Sequence, residues 1–303
     1  MGVLGKRGAK IPLPPPKLED ALISGVPLEW AGPLLVMAVA FVGFLLVWML
    51  SAKRPTSERL VRKYNLKVAQ GDPNNKFDPV SGHTVRFFKA ELATRIVSTL
   101  HALIACAGAA RCLHMSPALY EDMLWTTSNS ARFYFSISMA YFLGDILVCL
   151  VMFREYGPLF MLHAVCGLVS LCIICLGNQF HFFGLVGMLW ELSTIFLNNR
   201  WFLLEYGKKG TSLFVVNGFV LVLVFTVIRV VVGCPYSYMF WSQLSVARAD
   251  GKVSHLLYLG VTSMLAGFNC LNIYWCWQLV LGAFKVMGIK ARTGTSPSPR
   301  KIR

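Results

Sequence analysis

Residues 31–50 read AGPLLVMAVAFVGFLLVWML, twenty positions without a single charge. At 1.5 Å per helical residue such a run crosses the hydrocarbon slab of a bilayer, about 30 Å thick. Inside that slab the backbone has no water to bond, so the run must satisfy its own N–H and C=O groups as an α-helix. It does not read as a cleavable leader, because about thirty polar and Pro-rich residues precede it and no small-residue cleavage site follows.

Working outward, further apolar runs at 92–113, 133–153, 158–178, 180–204, 212–233 and 255–284 read as spans in the same way. They predict an all-α, polytopic membrane bundle of about seven transmembrane helices, with six or eight as the neighbouring counts. Composition agrees: 56% of the 303 residues are hydrophobic and 14% charged, against about 25% charged in a soluble domain. A soluble monomer is excluded. Gly157 and Pro158 make one connection short, and Gly177, Asn178 and Gln179 make another, so the helices on either side of each should be antiparallel neighbours. The chain divides into a Pro-rich polar segment at 1–30, the first helix at 31–50, a basic polar loop at 51–86 holding GDPNNKFDPVSG, the remaining helices, and a basic tail at 288–303.

Lys and Arg number 29 against 14 Asp and Glu, a net charge of +15. In a soluble protein that surplus would suggest nucleic acid. Sorted by connection, however, 18 basic residues fall on one side of a seven-helix bundle and 8 on the other. The positive-inside rule then puts the first loop and the C-terminal tail in the cytosol and the N-terminus outside or in a lumen; a six- or eight-helix count would invert this. Anionic lipid headgroups, not nucleic acid, are the partners expected for the basic loop and tail. Most of the nine cysteines sit inside spans, where they act as small hydrophobes. Cys172 and Cys175 form a CxxC without a partner pair, so no metal site is expected. Cys112 and Cys234 fall at ends of helices on the same side, which admits a disulfide without giving a distance.

Ionisable groups at bilayer depth persist only against a partner or a watery cavity. The candidates are Arg95, His101, Asp145, His163, His181, Glu191, Arg200, Glu205 and Arg229. Thr194, Ile195 and Asn198 follow Glu191 at helical spacing and share its face, whereas Arg200, nine residues on, points about 180° away. Interhelical hydrogen-bonding glue is the plainer reading of such polar groups. Asp145 and His163 lie in adjacent helices, with depths differing by about 10 Å, so a direct pair needs a tilt or a bridging water. An Asp and a His in one cavity could do general acid/base work. Asn269, Asn272 and Cys276 fall on one face of the last span. No phosphate-binding Gly loop, HExxH or nucleophile elbow is present.

Four stretches carry a family resemblance: YFLGDILVCLV (141–151), FMLHAVCGL (160–168), LWELSTIFLNNRWFLL (189–204) and VVNGFVLVLVFTVIRV (215–230), the last holding Asn217 and Arg229. Across 87–287 the chain resembles the TLC domain (TRAM, Lag and CLN homology) of multi-spanning endoplasmic-reticulum proteins, most closely its TLC-domain-containing branch. The resemblance implies residence in the endoplasmic reticulum and a role in lipid homeostasis. It also implies an intramembrane cavity that binds or senses lipid, lined by candidates Asp145, His163, Glu191, Thr194, Asn198, Arg200, Asn217, Arg229, Asn269 and Asn272. Ceramide synthases of the same family use a tandem His-His and downstream acids to N-acylate a sphingoid base. Here His163 is followed by Ala164, and no Asp-Asp pair lies in the next helix, so the resemblance leans away from an enzyme. The alternative is an acyltransferase with His163 and Asp145 as catalytic groups, acyl-CoA as a substrate and no cofactor. A seven-helix receptor or ion-translocating protein is a third class, which the helix ends do not favour: FREYG lacks the acidic-Arg-aromatic order, and the last span has no Asn-Pro-x-x-Tyr.

Overall fold

The computed structural model describes residues 28–53 and 82–286. Among them every regular element is helical: α1 (Leu28–Lys53), α2 (Gly82–Met115), the single turn α3 (Ala118–Glu121), α4 (Asn129–Val151), α5 (Phe153–Leu176), α6 (His181–Leu189), α7 (Leu192–Glu205), α8 (Ser212–Phe225), a wide π-turn (Thr226–Val232), α9 (Gly233–Ala249) and α10 (His255–Val286). Six helices are long and apolar enough to cross a membrane, with α8, the π-turn and α9 counting as one. α6 and α7 supply a seventh pass in two pieces. Between them the amides of Trp190, Glu191 and Thr194 reach back three residues, to the carbonyls of Gly187, Met188 and Glu191. Such tightened turns bend a helix without reversing it, and 181–205 together measure about 37 Å.

Six passes close a ring in which α2 packs on α4, α4 on α5, α5 on α10, α10 on α8 and α9, α8 on α7, and α7 and α6 back on α2. α1 lies outside the ring against α2 and α4, with Leu35, Val39, Val42, Leu46 and Leu50 exposed as lipid-facing residues should be. Small residues set the closest approaches. A Cβ on Gly108 would come within 2.3 Å of the Tyr134 ring, and one on Gly167 within 2.6 Å of the Phe142 ring, so α2–α4 and α4–α5 pack through glycine. At one end of the ring, residues 116–128 fold over the bundle onto a core of Phe135, Phe180, Phe182 and Leu185. Ser128 N–H donates to His181 Nδ1 at 2.9 Å, and Phe180 N–H to the Leu124 carbonyl at 2.8 Å. The hairpin between α5 and α6 is as tight as expected, turned by Asn178 and Phe180 at positive φ.

Three expectations change. The sixth span does not stop near residue 233, because the helix continues to Ala249. The helix widens into the π-turn just ahead of Pro235 and then runs on as α9. Cys112 and Cys234 are both free thiols, not a disulfide. Residues 82–86, assigned to the basic loop, already belong to α2. The remainder of that loop, the segment before residue 28 and the tail lie outside the described residues.

Candidate functional site

The two irregular stretches of backbone face each other. Because Thr194 N–H is taken by the Glu191 carbonyl, the Trp190 carbonyl is left for side chains, and it accepts Arg229 Nε at 3.1 Å and Ser193 Oγ at 3.0 Å. Arg229 stands in the π-turn, a form often found at functional sites, and is 4% exposed. Its Nε also donates to Ser193 Oγ at 3.0 Å and one terminal nitrogen to Asn272 Oδ1 at 3.2 Å. The other lies 3.6 Å from Glu191 Oε1, and the guanidinium covers the Phe225 ring. Glu191 Oε2 accepts from Thr194 Oγ1 at 2.9 Å. A buried charge at membrane depth needs an opposite charge and hydrogen bonds on its remaining positions; this pair has both.

Two cavities meet at that pair. One, of about 140 Å³, is walled by Phe142, Phe180, Phe183 and Phe240, and carries His101, Trp190 and Ser237 on its lining. The other, of about 300 Å³, is more polar, with Arg95, Asp145, Tyr156, Thr194 and Asn198. His163, Glu191 and Arg229 belong to both linings. A third cavity of about 530 Å³ runs beneath α1 beside Phe41, Phe44 and Trp48, and shares Thr94, Tyr141 and Asp145 with the second. Polar atoms around the first two are buried yet unbonded among the described residues: His101 Nδ1, His163 Nδ1, Trp190 Nε1, Ser237 Oγ and Tyr156 Oη. Unpaired buried groups cost about 1–3 kcal/mol each, so several converging on a void mark a place where a ligand or water completes the bonding.

Asp145 and His163 do line one cavity, without a direct contact. Asp145 makes no hydrogen bond or ion pair among the described residues. The His163 ring is caged edge-on by Phe142, Phe268 and Trp275 at centroid distances of 5.8, 5.8 and 5.4 Å. Glu191 and Thr194 share a face as read from the sequence, and Asn272 reaches the same centre from α10. Asn198 faces the second cavity but is largely a tie to α2: its amide donates to Arg95 O, Ser98 Oγ and Thr99 Oγ1, and its carbonyl accepts from Arg95. Asn217 bonds Asn199 and the Phe196 carbonyl, stapling α8 to α7. Asn269 donates to its own helix at Leu265. Arg200 stands apart, over Phe214 in a separate crevice.

Trp190 and Ser193, which hold Arg229, and His101, which stacks on Tyr141 at 3.9 Å and pairs with Ser138 Oγ at 3.1 Å, join the site without having been assigned to it. His101 was visible as an ionisable residue at depth. The Trp190 carbonyl was not, since its role follows from a helix break that LWELST does not advertise.

A family model described as the TLC domain matches residues 91–281. Among curated proteins, the chain is similar to TLC domain-containing protein 4-B of Danio rerio, 27% identical over 199 residues, covering 64% of this chain and 74% of the relative. It is similar to TLC domain-containing protein 4 of Homo sapiens, 24% identical over 202 residues, covering 66% and 76%. TLC domain-containing protein 4-A of Xenopus laevis is 26% identical over 272 residues, covering 86% of this chain and 94% of the relative.

Proposed function

The chain belongs to the TLC domain family, and from that premise we propose that it binds an amphipathic membrane lipid in its central cavities, as a lipid-homeostasis protein of the endoplasmic reticulum whose basic tail faces the cytosol. The observation that carries this reading is the junction at Glu191 and Arg229, where an apolar and a polar cavity share one lining with unbonded polar atoms on it. A ligand matching it needs a chain for the phenylalanine-walled side and a hydrogen-bonding group for His163 Nδ1. Short-chain carboxylates and sugars supply only the second; hydrocarbons supply only the first.

Binding is favoured over N-acyl transfer by the state of His163. A general base is held in its tautomer by a hydrogen bond on the ring nitrogen turned away from the substrate, and neither ring nitrogen of His163 has a hydrogen-bond partner among the described residues, its neighbours being aromatic edges.

Native mass spectrometry of the purified protein tests the proposal. Gly187 lines the first cavity and a Cβ there meets nothing within 4 Å, so Gly187→Leu fills the void without disturbing its helix. Wild-type protein should carry a lipid that the variant has lost. No co-purifying lipid on the wild type, with an unchanged membrane lipidome after deletion, would overturn the proposal.

A further inference from the structure

Arg200 is the one cation of the sequence-derived candidates that the central cavities leave unused. It lies five residues before the end of α7, about 7.5 Å inside the helix terminus, next to the turn that carries the exposed Lys208 and Lys209. Its guanidinium rests 4.4 Å above the Phe214 ring and makes no hydrogen bond or ion pair among the described residues. It borders a crevice of about 220 Å³ between α7, α8 and α10 that contains no acidic residue.

Two glycines open that crevice. A Cβ on Gly218 would stand 3.3 Å from the Arg200 guanidinium, and Gly282, across the gap on α10, has nothing within 4 Å of its Cβ position. Gln278 adds an amide free of hydrogen bonds among the described residues, and Leu221, Val222 and Leu279 form an apolar floor. The wall from Phe214 to Val222 runs inward from the membrane face for about 12 Å. An unpaired cation near the face, beside a groove with greasy walls leading inward, calls for an anion carried on a hydrocarbon chain. A guanidinium holds phosphate through paired N–H donors, which an ammonium does not.

We propose that this crevice is a second lipid site, separate from the central cavities and independent of what they hold, which takes an anionic glycerophospholipid with its phosphate on Arg200 and an acyl chain along Val222 and Leu279. A photoactivatable phosphatidylserine carrying its diazirine on the acyl chain, in phosphatidylcholine nanodiscs with the full-length protein, tests it. Labelling should map to α8 and α10 around 221–222 and 279. Arg200→Gln should lower it about tenfold, the loss of a charge-assisted pair, with Arg200→Lys intermediate. Gly218→Leu should abolish it by displacing the guanidinium. The same unfolding midpoint in all variants confirms that they fold; should Arg200→Gln not fold, Arg200→Lys against Gly218→Leu carries the comparison. Equal labelling of wild type and the folded variants overturns the site. Competition by millimolar inorganic phosphate overturns the lipid in favour of a soluble anion, and equal capture of a phosphatidylcholine probe overturns the charge selection.

Discussion

Replacing Glu191 with Gln isolates the charge of the buried pair. Gln keeps the volume and an oxygen for Thr194 Oγ1, which donates to Glu191 at 2.9 Å, so the loss is confined to the anion facing Arg229. The side chains are 10% and 5% exposed and their charged atoms 3.6 Å apart. At an effective dielectric near 20 the attraction is about 4–5 kcal/mol. Removing one partner of such a pair typically costs about 3–5 kcal/mol, because the other charge stays buried and unpaired. Denaturation of the protein in bicelles should therefore show Glu191→Gln destabilised by about that amount. Arg229→Met should also destabilise, since Ser193 Oγ and Asn272 Oδ1 lose their donor, at about 1–3 kcal/mol for each buried acceptor left bare, while the Trp190 carbonyl keeps its bond from Ser193 Oγ. The double variant should be markedly more stable than the sum of the singles implies, with a coupling of about 3 kcal/mol. A Glu191→Gln effect below about 1 kcal/mol, or an additive cycle, would refute the claim that this pair is desolvated and mutually dependent.

Other expectations concern what surrounds the pair. His181→Ala leaves Ser128 N–H without its acceptor, so amide exchange across 116–128 should accelerate, with a loss of about 1–3 kcal/mol in unfolding free energy. Gly167→Ala forces a methyl into the Phe142 ring; about 1–3 kcal/mol of overpacking should lower the unfolding midpoint, and because Phe142 lines the first cavity, lipid retention should fall with it. Asn198→Leu removes the tie between α7 and α2 and strips Arg95 of one acceptor, for which about 2–4 kcal/mol is expected; retention of wild-type stability would show that water replaces the amide.

The all-α, polytopic bundle was legible because apolar runs near twenty residues have one solution in a bilayer. Glu191 with Thr194 was legible too, since i and i+3 meet on any helix. What the sequence hid depends on departures from the regular helix. Arg229 was visible as a charge at depth, but its partner across the bundle depends on how six helices close into a ring, and no local spacing encodes that. Arg200 was grouped with the cavity residues because polarity at depth says that a partner is needed without saying on which side of the helix wall it lies. Asn217 looked like a ligand residue for the same reason and serves as a staple between helices. Polar residues of both kinds satisfy the same energetic requirement, and only the position of the void separates them.

The wide turn at 226–232 admits two physical explanations, and they lead to different outcomes. Pro235 has no N–H, so the Val231 carbonyl four residues back would go unpartnered in a regular helix, and a wide turn next to it relieves that mismatch. Alternatively the turn exists to set Arg229 opposite the break at Trp190 and Glu191. If Pro235 is the cause, Pro235→Ala should let the helix close, pull Arg229 from the Trp190 carbonyl, and reproduce the instability of Arg229→Met. If placement of Arg229 is the cause, Pro235→Ala should be neutral or slightly stabilising, by up to about 3 kcal/mol, with lipid retention unchanged. Deleting Val231 should then do the reverse: it removes the extra residue, keeps α8 and α9 on their present faces, and costs the contacts of Arg229. The contacts favour placement. Five interactions converge on Arg229 from Trp190, Ser193, Glu191, Asn272 and Phe225, whereas a proline mismatch is met as well by a kink or a polar side chain. A neutral Val231 deletion that still retains lipid would return the turn to Pro235 and leave Arg229 a structural cation.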